Sequence, residues 1–224
     1  TTQGTMKQYK KAVVFDLDGT LVNSIQDLAN SVNFAMKQLN APLHTVEEVR
    51  QMVGNGVAVL MKRALPSDMQ NKAPEALALQ RSFYSQHGFD NTKPYDGVEN
   101  LLQYLHSQGI LVVVHTNKDE NVARPLCQKL FGGLVDCVCG TVSDNQIKPS
   151  AKRLLQLLAT KGNPVAVYCG DSDVDIATAK NAGIACVSVT WGFRTKEFLL
   201  QHGATHLADD VLQARQLLLS LLQV

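Results

Sequence analysis

Apolar residues along this chain follow two rhythms. Short runs rich in β-branched side chains recur at 12–15, 110–115, 135–139, 165–169 and 184–189, each of strand length. Between them the period lengthens to that of a helix. Val98, Leu101, Leu102 and Leu105 stand at i, i+3, i+4 and i+7 ahead of Gly109, and a second pattern over 154–158 closes before Gly162. Strands alternating with helices predict an α/β core, a Rossmann-like parallel sheet with helices on both faces.

The alternation breaks once. About 90 residues separate the first two strands with no β-run between them, far more than one crossover needs. Helical periods fill that gap: Ile25, Leu28, Val32, Met36 and Leu39; then Val57, Leu60, Met61 and Leu65; then Ala76, Leu79 and Phe83. The pattern predicts a helical domain over residues 22–92, inserted into a core made of 1–21 and 93–224. Its six basic and six acidic residues cancel, so it is not a polyanion-binding module. Residues 1–5 precede Met6, the expected natural start.

Composition narrows the function. A folded chain of 224 residues buries roughly 70% of its unfolded surface. With 45% hydrophobic and 18% charged residues it has an ordinary globular make-up, and its net charge of +1 provides no basic field for nucleic acid or an anionic membrane. No apolar run approaches the roughly 20 residues of a membrane span. Cys127, Cys137, Cys139, Cys169 and Cys186 form no CxxC pair and read as buried thiols of a reducing, cytoplasmic setting. Neither they nor the scattered histidines have zinc spacing.

In an open parallel sheet, ligands bind beyond the carboxyl ends of the strands, and four strand ends here carry reactive residues. The first strand runs into Asp16, Leu17, Asp18, Gly19 and Thr20. Thr116, Asn117 and Lys118 follow the second strand, and Lys148 and Pro149 stand past the third. After the fourth come Gly170, Asp171, Ser172, Asp173, Val174 and Asp175, with Asp175 one helical turn beyond Asp171. Each fragment has a plain structural reading: a closed turn, a helix N-cap at Thr116, a solvated lysine, acids at a helix N-terminus. Four such coincidences at one sheet edge are a poorer account than one site.

Clustered carboxylates repel one another unless a cation sits among them, and Mg²⁺ takes oxygen ligands. A metal that also shares a phosphate oxygen explains the cluster. The Thr116 hydroxyl, the Lys148 ammonium and backbone N–H groups then hold the other phosphoryl oxygens, with Gly19, Thr20 and Asn117 as expected members of that set. The chain has no nucleophile elbow, HExxH or P-loop, so a carboxylate is the best nucleophile. Asp16 attacking phosphorus forms an aspartyl phosphate; Asp18 protonates the leaving oxygen and then activates water.

The run from Val13 to Leu21 resembles motif I of the haloacid dehalogenase-like hydrolase superfamily, and Thr116, Lys148 and the Gly170 to Asp175 segment resemble its motifs II, III and IV. The resemblance implies Asp16 as nucleophile and Asp18 as acid/base, with a magnesium site formed by Asp16, Asp18 (through its carbonyl), Asp171 and Asp175. It also implies that residues 22–92 are a type-1 cap. Within that span, Met52 to Val57 resembles the substrate loop of phosphoglycolate phosphatases, which makes Gly54, Asn55 and Gly56 candidate substrate residues; they also read as a turn ahead of a helix. Lys62 and Arg63 read as a solvated helix face or as contacts for an acidic substrate tail, His115 as a packing residue, and Arg194 as an exposed arginine on a surface loop or one that approaches the site entrance.

The implied activity is Mg²⁺-dependent hydrolysis of a small phosphorylated metabolite, phosphoglycolate first. Asp18 argues against carbon–halogen and carbon–phosphorus cleavage, whose enzymes lack it. Asn23, where an acid is common, and the Lys148 to Ala151 segment, which lacks an acid and a second proline, depart from the subfamily pattern. A phosphomutase and a non-catalytic binding protein are the alternatives, and the sequence does not choose between monomer and homodimer.

Overall fold

The computed structural model describes residues 6–143 and 146–224; residues 1–5, read above as preceding the natural start, lie outside them. β1 (Lys11–Phe15) leads to a two-residue strand, β2 (Val22–Asn23), and to helices α1 (Ile25–Gln38), α2 (Val46–Met52), α3 (Val57–Ala64) and α4 (Ala73–His87). β3 (Lys93–Pro94) then returns to pair antiparallel with β2. The remaining chain alternates: α5 (Val98–Ser107), β4 (Leu111–Asp119), α6 (Glu120–Phe131), β5 (Cys137–Thr141), α7 (Lys152–Thr160) and β6 (Val165–Gly170). It closes with α8 (Asp173–Ala182), β7 (Ala185–Val189), α9 (Lys196–Gln201), β8 (His206–Ala208) and α10 (Val211–Leu222).

Six of these strands form one parallel sheet in the order β5-β4-β1-β6-β7-β8. The period of two along each strand divides it between two cores. Val13 and Phe15, Val112 and Val114, and Val167 and Cys169 face one side, against Leu102 of α5, Leu126 of α6 and Leu218 of α10. Ala12 and Val14, Leu111 and Val113, and Ala166 and Tyr168 face the other, against Leu154 of α7 and Ala179 of α8. Burial of each such aliphatic side chain stabilises the fold by about 2 kcal/mol. The chain leaves β1 towards β4 and β5 and later returns past β1 to β6, so a crevice opens at the carboxyl end of β1.

Helices α1 to α4 enclose a third apolar cluster of their own, with Val32, Met36, Val49, Met61, Ala76 and Tyr84 among its buried members, joined by Phe193 from the loop after β7. The β2–β3 pair draws together the two points where the chain leaves and re-enters the sheet region.

Three features differ from the sequence expectation. β8 holds only three residues with two apolar side chains, too few to register a period. β4 continues to Asp119, so Thr116, Asn117 and Lys118 lie within it, past a register shift that begins after His115. α2 carries a weak apolar stripe and is set by its N-terminus instead: the Thr45 hydroxyl accepts from the Glu48 N–H while the Glu48 carboxylate accepts from the Thr45 N–H.

Candidate active site

Asp16 directly follows β1, Asp171 directly follows β6, and Asp175 stands in the first turn of α8. All three are buried, and they offer carboxylate oxygens within 4.8 Å of one another. Asp175 is oriented by the start of its helix: Ser172 is the N-cap, and the Asp175 Oδ2 accepts from the N–H groups of Asp171 (3.0 Å) and Ser172 (3.2 Å). The Asp171 Oδ2 accepts from the Phe193 N–H at 2.9 Å, and Thr20 Oγ1 lies 3.1 Å from Asp171 Oδ1 and 3.4 Å from Asp16 Oδ2. Gly19 holds φ at +87°, and a Cβ there would run into the Asp171 carboxylate, so the turn that presents Asp16 and Asp18 admits only glycine.

Lys148 reaches into this group from the loop before α7. Its Nζ donates to Asp16 Oδ1 at 2.9 Å, to Asp175 Oδ1 at 2.8 Å and to the His115 carbonyl at 3.2 Å. Asn117 fixes the Lys148 backbone, its Oδ1 accepting from the Lys148 N–H at 2.7 Å and its Nδ2 donating to the Lys148 carbonyl at 3.3 Å. Thr116 is buried with its Oγ1 accepting from the Lys118 N–H at 3.1 Å, which leaves its own proton to donate. His115 packs edge-on to Tyr168 with Nδ1 3.1 Å from the phenol oxygen. Burial, reinforced by the Lys148 charge, holds its pKa well below the usual value, so its ring is neutral.

Charge decides what this group can hold. Burial raises Asp16 to about 7 and Asp175 to about 6, with the neighbouring carboxylates adding to it and Lys148 opposing it. Asp171 is raised by burial and by the Asp175 charge. Burial disfavours the Lys148 ammonium too, but Asp16 and Asp175 override that and keep it charged. When all three carboxylates are ionised, the single Lys148 ammonium leaves the group with a net charge of −2. An oxygen-liking divalent cation matches both the ligand type and that charge.

Asp18 lies outside this trio. Its Oδ1 accepts from Ser24 Oγ at 2.5 Å and from Lys118 Nζ at 3.0 Å. Lys118 and Ser24 have no local sequence signal for this contact; only the fold brings them together.

A cavity of about 760 Å³ opens above the carboxylates, with Asp16, Asp18, Thr116 and Lys148 on its floor and Val53, Leu60 and Tyr84 of the helical insertion on its wall. Gly54 and Gly56 line it, with φ of +133° and +87°. Asn55 does not: its Oδ1 accepts from Arg63, which also donates to the Met52 carbonyl. Arg194 corrects the expectation of an exposed loop residue. It is partly buried and donates to the carbonyls of Arg50 (2.7 Å) and Val53 (2.6 Å), tying the loop after β7 to the end of α2.

The sequence model of the haloacid dehalogenase-like hydrolase family matches residues 13–189. A phosphoglycolate phosphatase of Pseudomonas syringae pv. syringae is 33% identical over 211 residues, covering 90% of this chain and 77% of that protein. A phosphoglycolate phosphatase of Chromobacterium violaceum is 37% identical over 195 residues, covering 82% of this chain and 86% of that one. Among solved structures, a protein of Lactobacillus delbrueckii subsp. bulgaricus, provisionally assigned as a phosphoglycolate phosphatase, superimposes with a TM-score of 0.88 at 29% identity, over 94% of this chain and 99% of its own.

Proposed function

The chain belongs to the haloacid dehalogenase-like hydrolase family and is a phosphatase of the phosphoglycolate phosphatase type, and from that premise we propose that Asp16 is its nucleophile, Asp18 its acid and base, and Mg²⁺ its metal. The observation that carries this reading is the buried trio of Asp16, Asp171 and Asp175, which the Lys148 ammonium leaves two charges short of neutrality, with a further carboxylate, Asp18, beside it on the same turn.

A carboxylate oxygen of Asp16 attacks phosphorus in line with the ester oxygen, and the P–O bond to the leaving group breaks as Asp18 gives that oxygen a proton. Asp18, now ionised, takes a proton from the water that attacks the aspartyl phosphate, and Asp16 is released with inorganic phosphate. Lys148 keeps one Asp16 oxygen fixed and places positive charge beside the transferring group. The Thr116 hydroxyl is left to hold a phosphoryl oxygen, whereas the Gly19 and Thr20 N–H groups, expected in that role, donate to the Val22 and Leu17 carbonyls, and both ends of the Asn117 amide are engaged by Lys148 and Gly54, so these three shape the turn and the Lys148 loop instead. Asp16, Asp171, Asp175 and the Asp18 carbonyl would hold Mg²⁺, which would supply charge neutralisation at the phosphoryl oxygens.

Residues 22–92 act as a cap that excludes water from the first step, with Gly54 and Gly56 on the substrate side of its loop. The five free thiols support a reducing, cytoplasmic setting. Phosphoglycolate is the leading substrate, on the strength of the relatives. The cavity has the volume of a typical small-molecule site, so the test is phosphate release from esters ranging from 2-phosphoglycolate to sugar and nucleoside monophosphates. Release is expected to need Mg²⁺, to stop with chelator and to vanish in Asp16→Asn; release by that variant would remove Asp16 from its role.

A further inference from the structure

Lys118 is the cavity's second lysine, partly buried with 7% of its side chain exposed, and the reaction described above leaves it without a task. Its Nζ donates to Asp18 Oδ1 at 3.0 Å and to the Tyr84 hydroxyl at 2.6 Å, and it stands 4.6 Å from the centre of the Tyr84 ring. The three groups come from three places: Asp18 from the turn after β1, Lys118 from the end of β4, and Tyr84 from α4 of the helical insertion. The next residue repeats the link, since Asp119 takes a two-pronged bond from Arg81 at 3.0 and 3.3 Å. Two consecutive residues of β4 thus grip two residues of α4 that stand one turn apart.

A buried ion pair is a poor source of stability, because removing both charges from water costs about as much as their attraction returns. What it fixes is geometry. Both bonds to Asp18, from Lys118 and from Ser24, fall on Oδ1, and among the described residues Oδ2 accepts none. Asp18 lines the cavity, so Oδ2 is the oxygen left to face the ester.

We propose that Lys118 is a positioning residue for the leaving-group step: it locks Oδ1 of Asp18 so that Oδ2 meets the departing oxygen, and it holds that lock only while α4 is seated, because Tyr84 is its other anchor. Proton delivery is thereby tied to the position of the insertion. The inference rests on Asp18 being the acid of the reaction, and the experiment separates the two.

The test is the leaving-group dependence of kcat/KM, which reports only the steps through departure of the leaving group. 4-Nitrophenyl phosphate expels an anion that needs no proton, whereas 2-phosphoglycolate expels an alkoxide that does. Lys118→Met is expected to lose about 10²-fold on 2-phosphoglycolate, the scale of a general-acid contribution, and less than a tenth of that factor on the nitrophenyl ester. Tyr84→Phe, which keeps the ammonium and the ring and removes one anchor, is expected to lose less in the same pattern, and it carries the test if Lys118→Met does not fold. Equal losses on the two esters in these variants, or a rise in KM with kcat unchanged, would overturn the proposal. Asp18→Asn is the reference: if it shows no leaving-group dependence, the acid assignment itself fails, whatever Lys118 does.

Discussion

Asp16 has to act as an anion in a place where burial resists charge. Burial raises Asp16 to about 7 and Asp175 to about 6, so both bind protons more tightly in the folded chain than in the unfolded one. Their contribution to stability is full below the ordinary carboxylate value of 3.8 and is lost as pH rises towards about 7. Thermal melts in chelator should therefore show Tm falling between pH 5 and pH 8, and Mg²⁺ should raise Tm more at pH 8 than at pH 5; an equal rise at both would count against these acids as the metal site. Asp16→Asn should lose at least ~10³-fold in turnover while melting no lower than the parent at pH 8, since the amide relieves a crowded anion. Asp16, Asp18, Lys148, Asp171 and Asp175 were legible in the sequence because each follows a strand or starts a helix that its neighbours predict. The place of Lys118 at the sheet edge was legible too, but its partnership with Tyr84 and Asp18 was not, because it spans 34 and 100 residues and no local period records such a contact.

Two elements do most of the positioning, and each depends on how it begins. The start of α8 turns Asp175 inward through Ser172, whose hydroxyl and N–H both meet the Asp175 carboxylate. Ser172→Ala should cost about 1 kcal/mol in denaturant unfolding and lower kcat/KM about tenfold, because Asp175 then keeps Lys148 but loses part of its collar. A parent-like kcat/KM in a destabilised variant would mean that the cap residue serves the helix alone. Five of the six sheet strands were readable as short, nearly continuous apolar runs rich in β-branched residues, and β8 was too short to read. The end of β4 was not: past His115 its register shifts, and polar residues there look like a loop although they continue the strand. α2 shows the opposite case, a helix announced by its Thr45 and Glu48 cap and hidden by its thin apolar stripe.

Polar links tie the helical insertion to the sheet, and Arg194 is one of them. Its guanidinium holds the carbonyls at the end of α2, beside the glycines that line the cavity. Arg194→Ala should raise KM for the preferred ester about tenfold, with a smaller change in kcat, and should speed hydrogen exchange in residues 50–56; unchanged exchange there would show that the loop holds itself. The insertion was legible as a long helical gap between two strands, but its seat on the sheet was not, because Arg194, Arg81 and Asn117 act across the fold. The central claim, a covalent aspartyl phosphate at Asp16, is tested most directly by the steric course at phosphorus, using an ester made chiral with oxygen isotopes and sulfur. Two successive in-line displacements predict overall retention of configuration; inversion would mean that water attacks the ester itself and that Asp16 is not the nucleophile.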